Sequence, residues 1–488
     1  MIRIVYTAAL VWLSVYALQS LVLTLLYLRH RRTVAPRAAV AEDGWPHVAV
    51  QLPIYNERHV VERLIDAAAA LDYPADRLTI QVLDDSTDDT TALAEARAAY
   101  HRQRGIAVEV LHRADRRGFK AGALAWGLAQ TEAEIVAVFD ADFRPQPDFL
   151  RRTVPVMLAQ PDAGMVQTRW THLNEQYSPL TRVQSLALDG HFVVEQTARS
   201  RAGLLINFNG SGGLWRRACI EEAGGWQADT MTEDMDLSYR AQLAGWRCLY
   251  LPDVEAPAEL PAQMEAFKRQ QVRWAKGSIQ CLRKLSWPIL RSNLPLHQKA
   301  MALVHISGYF TQPLVVILLL ASLPLLLRPQ PGAGVWPLFG LVGLGPPLLF
   351  AISQAALYPR WPRRLLYLPI FLVVAAGITF STSRAVYEGL TRWGGMFRRT
   401  PKFRLEGREG RWADSVYRLR PDWTILGELG LMAYALAGIV LAWQHGRYGS
   451  LPFLLLCALG YGIVAWTGVW QSRPALDRSA GARRTGVV

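Results

Sequence analysis

Two acidic motifs follow short apolar runs of the kind that form β-strands. Asp84 and Asp85 come directly after the run 79–83, and Asp140 and Asp142 come directly after the run 135–139. Carboxylates at alternate positions of an extended chain project from the same side, and hard oxygen ligands of this kind suit Mg²⁺ or Mn²⁺. An isolated Asp-x-Asp is more often a solvated turn. Its position at a strand end, after another acidic strand end, favours a metal site instead.

A third acidic group, Thr232-Glu233-Asp234, has two interpretations. Acidic side chains at a helix N-terminus complement the helix dipole, which would make the group purely structural. A carboxylate held beside a reacting hydroxyl can instead accept its proton and act as a general base. The sequence alone favours neither interpretation.

A fourth motif combines glutamine, arginine and tryptophan within the basic segment 268–277. Its members are Gln270, Arg273 and Trp274. Tryptophan can stack on a sugar face, and glutamine and arginine can donate hydrogen bonds to hydroxyl or phosphate oxygens. The alternative is an interfacial helix, which also places tryptophan and arginine at the level of lipid headgroups.

The four motifs, taken together and in this order, resemble the D, DxD, TED and QxxRW set of processive family 2 glycosyltransferases. The resemblance is closest to cellulose synthase-like proteins of the plant A and C classes, which are mannan and glucan backbone synthases, and to their bacterial relatives. It is dense over residues 46–290 and loose beyond them. Further stretches that match the family lie at 50–57, 81–87, 118–124, 139–143, 208–210 and 222–226.

The resemblance implies a donor-binding set at the strand ends. Either Asp84 or Asp85 is expected to contact the nucleoside, and Lys120 is expected to help hold the nucleotide-sugar. Asp140 and Asp142 are expected to engage the diphosphate and a divalent metal, Mg²⁺ or Mn²⁺. The full set is Tyr55, Glu57, Asp84, Asp85, Lys120, Asp140 and Asp142.

The resemblance also implies roles for the remaining motifs. Asp234 matches the catalytic base of the family, and the stretch Arg399–Phe403 is similar to the gating segment that covers the nucleotide in cellulose synthase. The acceptor-site group that it implies is Glu233, Gln270, Arg273 and Trp274.

Two positions depart from cellulose synthase itself. Ile54 stands where those enzymes commonly have threonine, and Gln271 stands where they have arginine. Both departures point away from cellulose as the product, so the donor, UDP-glucose or GDP-mannose, stays open.

These motifs need a scaffold that brings strand ends together. Apolar runs predict strands at 47–52, 79–83, 107–111 and 135–139, and helical periodicity falls between them at 57–70, 90–104 and 120–130. This alternation predicts βαβ units and a parallel sheet, whose ligands bind at the carboxyl ends of the strands. With the resemblance, it predicts an α/β nucleotide-sugar-binding domain of the GT-A type with a mostly parallel sheet.

The first part of the chain predicts a membrane helix. The segment 4–27 is apolar apart from Gln19, and it exceeds the roughly 20 residues that a span requires. A signal peptide would have a shorter apolar core and a small-residue cleavage site. Basic residues follow at 29–32, so the positive-inside rule places the N-terminus outside and the following residues in the cytoplasm.

The last part of the chain predicts further spans, at 301–327, 334–357, 423–443 and 451–470. Another apolar stretch, Leu365–Ser381, has arginines on both flanks, which places both of its ends on one side of the membrane. We therefore predict that it is an interfacial or re-entrant helix, leaving five spans in total.

The predicted organisation is that of a multi-pass protein of the plasma or inner membrane with a cytoplasmic catalytic domain. Its parts are a membrane helix at 1–30, the catalytic domain at 45–260, interfacial helices at 261–300, a membrane region at 301–471 that contains a cytoplasmic amphipathic and gating segment at 365–412, and a basic cytoplasmic tail at 472–488.

Composition agrees with a membrane enzyme. Hydrophobic residues make up 51% of the chain, tryptophan occurs 17 times, and the net charge is +13 at pH 7. A basic chain can bind nucleic acid or an anionic membrane. Here the arginines flank apolar segments, which favours the membrane and argues against a nucleic-acid partner. The four cysteines have no C-x-x-C spacing, so we expect reduced, buried thiols.

The resemblance predicts an inverting, nucleotide-sugar-dependent hexosyltransferase that adds glucose or mannose to a growing β-linked polysaccharide. A non-processive transferase that acts on a lipid acceptor is the alternative, because five spans are few for a translocation channel. A transporter or receptor that binds nucleotide without transferring sugar fits less well, since it would have no use for a candidate base.

Overall fold

The structure is a computed structural model that describes residues 1–328, 343–396, 398–413 and 415–472. One seven-stranded sheet forms its centre, with the strand order β3-β2-β1-β4-β6-β5-β7. The sixth strand is antiparallel to both of its neighbours, and the other neighbouring pairs are parallel. The predicted α/β fold with a mostly parallel sheet is confirmed. The strands are β1 (Val48–Ile54), β2 (Leu78–Asp84), β3 (Val108–His112), β4 (Ile135–Val138), β5 (Ala163–His172), β6 (Gly213–Arg216) and β7 (Arg247–Ala258).

Helices cover both faces of this sheet, and two apolar cores lie between them and the strands. The central strands are buried on both faces, which explains their continuous apolar runs. The helices of this part are α2 (Val61–Ala69), α3 (Thr90–Arg102), α4 (Phe119–Ala129), α5 (Phe149–Leu158), α6 (Pro179–Asp189), α7 (Thr197–Arg201), α8 (Arg217–Glu222) and α9 (Glu233–Leu243), with a π-helix at Gly190–Gln196 between α6 and α7.

The helix predicted over 57–70 begins four residues later, at Val61. Asn56 has a φ of 53°, in the left-handed region, so the chain turns after β1 before a helix can start. The Asn56 amide oxygen accepts a hydrogen bond of 2.8 Å from the backbone nitrogen of Thr87, which fixes this turn beside the end of β2.

The regular elements of the described chain outside this domain are helices. Four helical stretches in it are long and apolar enough to cross a membrane: Ile2–His30, Gly308–Leu326, Thr424–Gln444 and Tyr448–Ser472. The helices outside the catalytic domain are α1 (Ile2–His30), α10 (Met264–Arg291), α11 (Leu296–Ile306), α12 (Thr311–Leu326), α13 (Gly345–Leu357), α14 (Trp361–Arg364), α15 (Leu368–Gly377), α16 (Thr379–Thr391), α17 (Thr424–Gln444) and α18 (Leu451–Ser472).

Two predicted spans need comment. The span predicted at 301–327 is wrong in its start, because α11 ends at Ile306 and the apolar helical stretch begins only at Gly308. The span predicted at 334–357 is described only from residue 343 onward, where α13 is a short apolar helix. Its earlier residues, and the predicted basic tail beyond residue 472, lie outside the described part of the chain.

The segment predicted to be interfacial or re-entrant forms a bent pair of helices. Trp361–Gly377 and Thr379–Thr391 meet at an angle of 50°, a geometry found both in broken spans and in re-entrant loops. The prediction for Leu365–Ser381 therefore stays a prediction.

Candidate functional site

A cavity at the carboxyl ends of β1, β2 and β4 collects side chains from all four motifs. This is the edge at which a parallel sheet binds its ligands. Asp84 is the one predicted site residue that does not line the cavity. The predicted residues that line it are Tyr55, Glu57, Asp85, Lys120, Asp140, Asp142, Glu233, Asp234, Gln270, Arg273 and Trp274.

The two neighbouring aspartates at the end of β2 have different surroundings. Asp84 is fully buried and accepts hydrogen bonds from the backbone nitrogen of Ser86 at 2.9 Å and from the Thr91 hydroxyl at 2.6 Å. Asp85 lines the cavity and forms a two-pronged ion pair with Arg113, at 2.7 and 2.6 Å. Of the two, only Asp85 lines the cavity.

Arg113 and Arg116 belong to this part of the site, although they were not among the predicted residues. The Arg116 guanidinium lies 3.3 Å from the centre of the Tyr55 ring, and both side chains line the cavity. Arg113 directly follows β3. The strand-end argument that selected the aspartates would therefore have found Arg113, had it been applied to cations.

The Asp-x-Asp motif lies in a turn after β4, which contradicts the extended conformation expected for it. The backbone nitrogen of Phe143 donates a 3.0 Å hydrogen bond to the Asp140 carbonyl, so the chain reverses direction here. The two carboxylates then face different cations. Lys120 contacts Asp140 at 2.5 Å, and Lys402 contacts Asp142 at 2.9 Å.

Both lysines are held in the charged form. Burial lowers the pKa of Lys120, but Asp140 and Glu233 outweigh this effect, and its pKa lies above the ordinary value. Burial lowers the pKa of Lys402 in the same way, and Asp142 and Glu57 raise it above the ordinary value. The cavity therefore holds two ammonium groups beside Asp140 and Asp142.

The aspartates fit a divalent metal as part of its ligand set. Asp142 is buried, and its Oδ1 atom has no hydrogen-bond partner. A buried carboxylate oxygen without a partner is costly unless a cation or donor reaches it. Within the described residues, no cluster of three or more His, Cys, Asp or Glu side chains could hold a metal alone. Phosphate oxygens and water would complete the coordination, as they commonly do for Mg²⁺.

A segment from near the chain's end covers the cavity, and we call residues 398–413 the gating segment. Arg399, Thr400 and Lys402 line the cavity from this side. Arg399 forms an ion pair of 3.0 Å with Glu57, and the backbone nitrogen of Phe403 donates a 2.8 Å hydrogen bond to Glu259. The segment thus rests directly on the side of the cavity that contains Glu57 and Asp142.

Glu57 is strongly affected by this cover. Burial raises its pKa to about 7, although the charge of Arg399 opposes that shift. The Glu57–Arg399 pair therefore joins the strand end of β1 to a segment more than 300 residues away in sequence.

The third acidic group lies both at a helix start and at the cavity, so its position is compatible with either interpretation. Thr232 precedes the first residue of α9, so Glu233 and Asp234 lie in the first turn of that helix. Both carboxylates also line the cavity. Burial and the nearby charge of Glu233 raise the pKa of Asp234 to about 7, while Lys120 opposes the shift. A carboxylate with a pKa near neutrality is suited to accept a proton.

The glutamine–arginine–tryptophan motif lies on α10. Positions 270, 273 and 274 share one face of a helix, because side chains three and four residues apart are neighbours. Gln270, Arg273 and Trp274 accordingly line the cavity together. Gln271 points elsewhere and accepts a 3.2 Å hydrogen bond from the Tyr309 hydroxyl.

Trp170 also lines the cavity and was not predicted. It lies on β5, and its Nε1 atom donates a 2.9 Å hydrogen bond to the Ser211 carbonyl. No local motif distinguishes it from other strand residues, so only the folded structure reveals it.

A mostly parallel sheet with this order of strands, an Asp-x-Asp turn at its edge and a separate buried carboxylate agree with the predicted α/β domain of the GT-A type. Residues 46–277 match the family described as glycosyltransferase like family 2. Over this domain, the chain is similar to the family 2 glycosyltransferases.

Proteins similar to this chain include plant enzymes. Glucomannan 4-beta-mannosyltransferase 2 of Arabidopsis thaliana is 42% identical over 280 residues, which cover 57% of this chain and 52% of that protein. Probable glucomannan 4-beta-mannosyltransferase 3 of Oryza sativa subsp. japonica is 37% identical over 364 residues, covering 72% of this chain and 64% of that protein. The chain thus spans between half and two thirds of the length of these relatives.

A solved structure shares the fold. The mannosyltransferase PcManGT from Pyrobaculum calidifontis, in complex with GDP-Man and Mn²⁺, superimposes with a TM-score of 0.55 and 22% sequence identity. The match covers 79% of this chain and 99% of that one.

Proposed function

We propose that the chain is a membrane-bound, inverting hexosyltransferase that adds mannose from a nucleotide-sugar to a growing β-linked polysaccharide. One observation carries the proposal. The cavity sets Asp234, whose pKa is raised to about 7, between the Asp140–Asp142 turn and the Arg273–Trp274 face of α10. A binding site for the donor diphosphate, a proton acceptor and an acceptor platform would thereby lie in one place.

The donor would bind on the strand-end side of the cavity. Asp85, with Arg113 and the stacked pair of Arg116 and Tyr55, would contact the nucleoside. The plant relatives are named as mannosyltransferases, and the structural neighbour binds GDP-Man. Both observations support GDP-mannose over UDP-glucose.

Asp140 and Asp142 would hold Mg²⁺ or Mn²⁺ together with the diphosphate. A divalent ion at this position neutralises charge on the leaving group. Lys120 and Lys402 already approach the same carboxylates and would contact phosphate oxygens once the donor is bound. The Mn²⁺ of the structural neighbour supports a divalent requirement.

The acceptor would bind on the α10 side. Trp274 would stack on the terminal sugar, and Gln270 and Arg273 would orient its hydroxyls. Asp234 would accept the proton of the attacking hydroxyl as the bond to the donor sugar forms and the nucleoside diphosphate leaves. A single displacement of this kind inverts the anomeric configuration.

The site would face the cytoplasm of the cell. The basic residues after α1, and those in the segments around α14 and after α16, favour this side by the positive-inside rule. The plasma or inner membrane is our proposed location, with five spans.

Transfer of one sugar to a lipid is the second candidate, because the structure has only four helices long enough to span a membrane, or five if the bent pair is one span, within the described residues.

Purified protein in detergent should be incubated with tritium-labelled GDP-mannose or UDP-glucose, each with Mn²⁺, Mg²⁺ or EDTA. We expect a metal-dependent, water-soluble or precipitating polymer. Label that extracts into organic solvent would favour the lipid acceptor, and no consumption of either donor would contradict transferase activity.

A further inference from the structure

A buried glutamine on α10 joins three parts of the molecule that each contribute to the cavity. Gln280 is fully buried, and it lies ten residues after the first residue of the acceptor motif on the same helix. Its side chain does not line the cavity. Both ends of its amide nevertheless bind backbone groups of segments that do reach it.

The oxygen end of this amide binds the segment that leads to Asp234. Gln280 Oε1 accepts a 2.9 Å hydrogen bond from the backbone nitrogen of Met231, which lines the cavity. Met231 directly precedes Thr232, where α9 begins, and Asp234 follows in the first turn. A Cβ atom on Gly277 would lie 2.4 Å from Thr232 Cγ2, so α10 approaches this helix start very closely.

The nitrogen end of the amide binds residues 392 and 394, which precede the gating segment. Gln280 Nε2 donates to the carbonyl oxygens of Arg392 at 3.0 Å and Gly394 at 2.8 Å. These residues leave the end of α16, a few residues before Arg399 and Lys402 reach the cavity. The backbone nitrogen of Gly394 in turn donates a 2.8 Å hydrogen bond to the Asp229 carbonyl.

A second side chain, one helical turn later, makes a similar connection. Lys284 Nζ contacts Asp229 at 2.8 Å and Asp236 at 2.9 Å, which lie on either side of the Thr232–Asp234 group. The same face of α10 thus supports the segment 229–236 at two points. Gln280 is the one of the two that also binds residues 392 and 394.

We propose that Gln280 is a positioning residue that couples the closure of the gating segment to the placement of Asp234. When the gating segment closes over a bound donor, Arg392 and Gly394, which precede it, hold the Gln280 amide nitrogen through their carbonyl oxygens. The amide oxygen then holds the Met231 backbone, and with it the start of α9, against α10. This inference rests on the proposed function, since it assigns Asp234 as the base and the gating segment as the donor cover.

Two variants of Gln280 separate the two ends of the amide. Gln280→Met is similar in size but removes both sets of hydrogen bonds. Gln280→Glu keeps an acceptor for the Met231 nitrogen but sets a carboxylate against two carbonyl oxygens. Displacement of a catalytic group by about 1 Å costs about 10²-fold in rate. We therefore expect Gln280→Met to lower kcat by about that factor and to raise the KM for the donor. Gln280→Glu should raise the donor KM and keep kcat within about threefold.

A matched control is available at Gln242. This side chain also binds backbone groups at both ends of its amide, accepting from Ile206 nitrogen at 3.0 Å and donating to Ile206 oxygen at 2.7 Å, away from the cavity lining. Gln242→Met should cost comparable thermal stability and leave kcat and the donor KM unchanged. Equal kinetic losses in both variants would show that Gln280 acts only through general stability, and would overturn the proposal.

Hydrogen exchange provides a readout that does not need turnover. In detergent-purified full-length protein with GDP added, peptides covering 228–234 and the gating segment should exchange faster in Gln280→Met than in wild type or Gln242→Met. Wild-type exchange and wild-type kcat in Gln280→Met would contradict the coupling. A wild-type protein that consumes neither donor would contradict the proposed function instead, and the exchange comparison would still decide the coupling.

Discussion

At the scale of single residues, two neighbouring carboxylates at this site differ in their burial and in their hydrogen-bond partners. Asp84 is buried behind the cavity with its oxygens bound by the protein, whereas Asp85 faces the cavity beside Arg113. The sequence shows two equivalent aspartates there, because local pattern carries no information about which side chain the turn after β2 directs inward. The motif could be predicted, but the choice between its members could not.

Asp234 has a raised pKa, and this predicts how transfer depends on pH. A general base must be ionised, so kcat/KM should rise about tenfold per pH unit below a pKa of about 7 and level off above it. Initial rates at donor concentrations well below KM, between pH 5 and 9, test this. A rate that is flat from pH 5 to 7 would contradict the assignment.

The same pKa predicts a stability effect. A carboxyl whose pKa is raised by folding is stabilised in its protonated form, so it favours the folded state at low pH and loses that contribution as pH rises through about 7. Asp234→Asn stays neutral, so its Tm should exceed that of wild type at pH 8, with a smaller difference at pH 5. Glu57 shares the raised pKa but is present in both proteins and cancels in the comparison.

Trp274 should handle the acceptor without taking part in donor cleavage. Trp274→Ala removes the stacking surface, so transfer to sugar should fall by about 10²-fold because the acceptor is no longer held in line. Slow hydrolysis of the donor should persist, because water needs no such platform. Trp287→Ala is the matched control, since Trp287 lies on the same helix but is 60% exposed and outside the cavity. Unchanged polymer yield from Trp274→Ala would reduce the residue to a membrane-interface anchor.

At the scale of elements, the sheet was more predictable than the site it carries. The runs at 79–83 and 135–139 form β2 and β4 because strands buried on both faces are continuously apolar. The turn at Asp140–Asp142 was less predictable, since its conformation follows from contacts with Lys120 and the gating segment that only the fold creates. Arg116 and Trp170 could not be predicted for the same reason, because only the fold brings them to the cavity.

The gating segment gives a prediction at this scale. Lys402 contacts Asp142 and reaches the place of the donor diphosphate, so Lys402→Met should raise the donor KM by about tenfold. Lys299→Met makes the same change of charge on α11, where the Lys299 ammonium donates a 2.9 Å hydrogen bond to the Leu290 carbonyl, and it should leave the KM unchanged. A donor KM for Lys402→Met that equals that of wild type would show that the segment does not contribute to donor binding.

At the scale of the whole molecule, α10 connects the catalytic domain with the membrane helices. Lys268 is buried and pairs with Glu428 of α17 at 2.7 Å and with Glu265 at 3.3 Å. The acceptor motif begins two residues later on the same helix. The amphipathic and basic character of α10 could be read from the sequence, but its buried ion pair with a membrane helix could not, because charge pattern does not identify partners.

The arrangement in the membrane can be tested with single cysteines. Arg408→Cys, in the gating segment, should resist an impermeant thiol reagent in intact cells and react after permeabilisation, because we propose a cytoplasmic site. His445→Cys, between the last two spans, should react in intact cells. Both positions are exposed, and the native cysteines are buried. Labelling of Arg408→Cys from outside would show that the bent helix pair crosses the membrane.

The central claim is that sugar transfer takes place at this site with Asp234 as the base, and one comparison in the detergent-solubilised chain tests it most directly. Wild type and Asp234→Asn should be assayed together in detergent, at pH 8 with Mn²⁺, for polymer formation from labelled GDP-mannose and for GDP affinity. Removing a general base costs about 10²–10⁴-fold. We predict a loss of transfer of that size with nucleotide affinity unchanged. Near-normal transfer by Asp234→Asn would contradict the account.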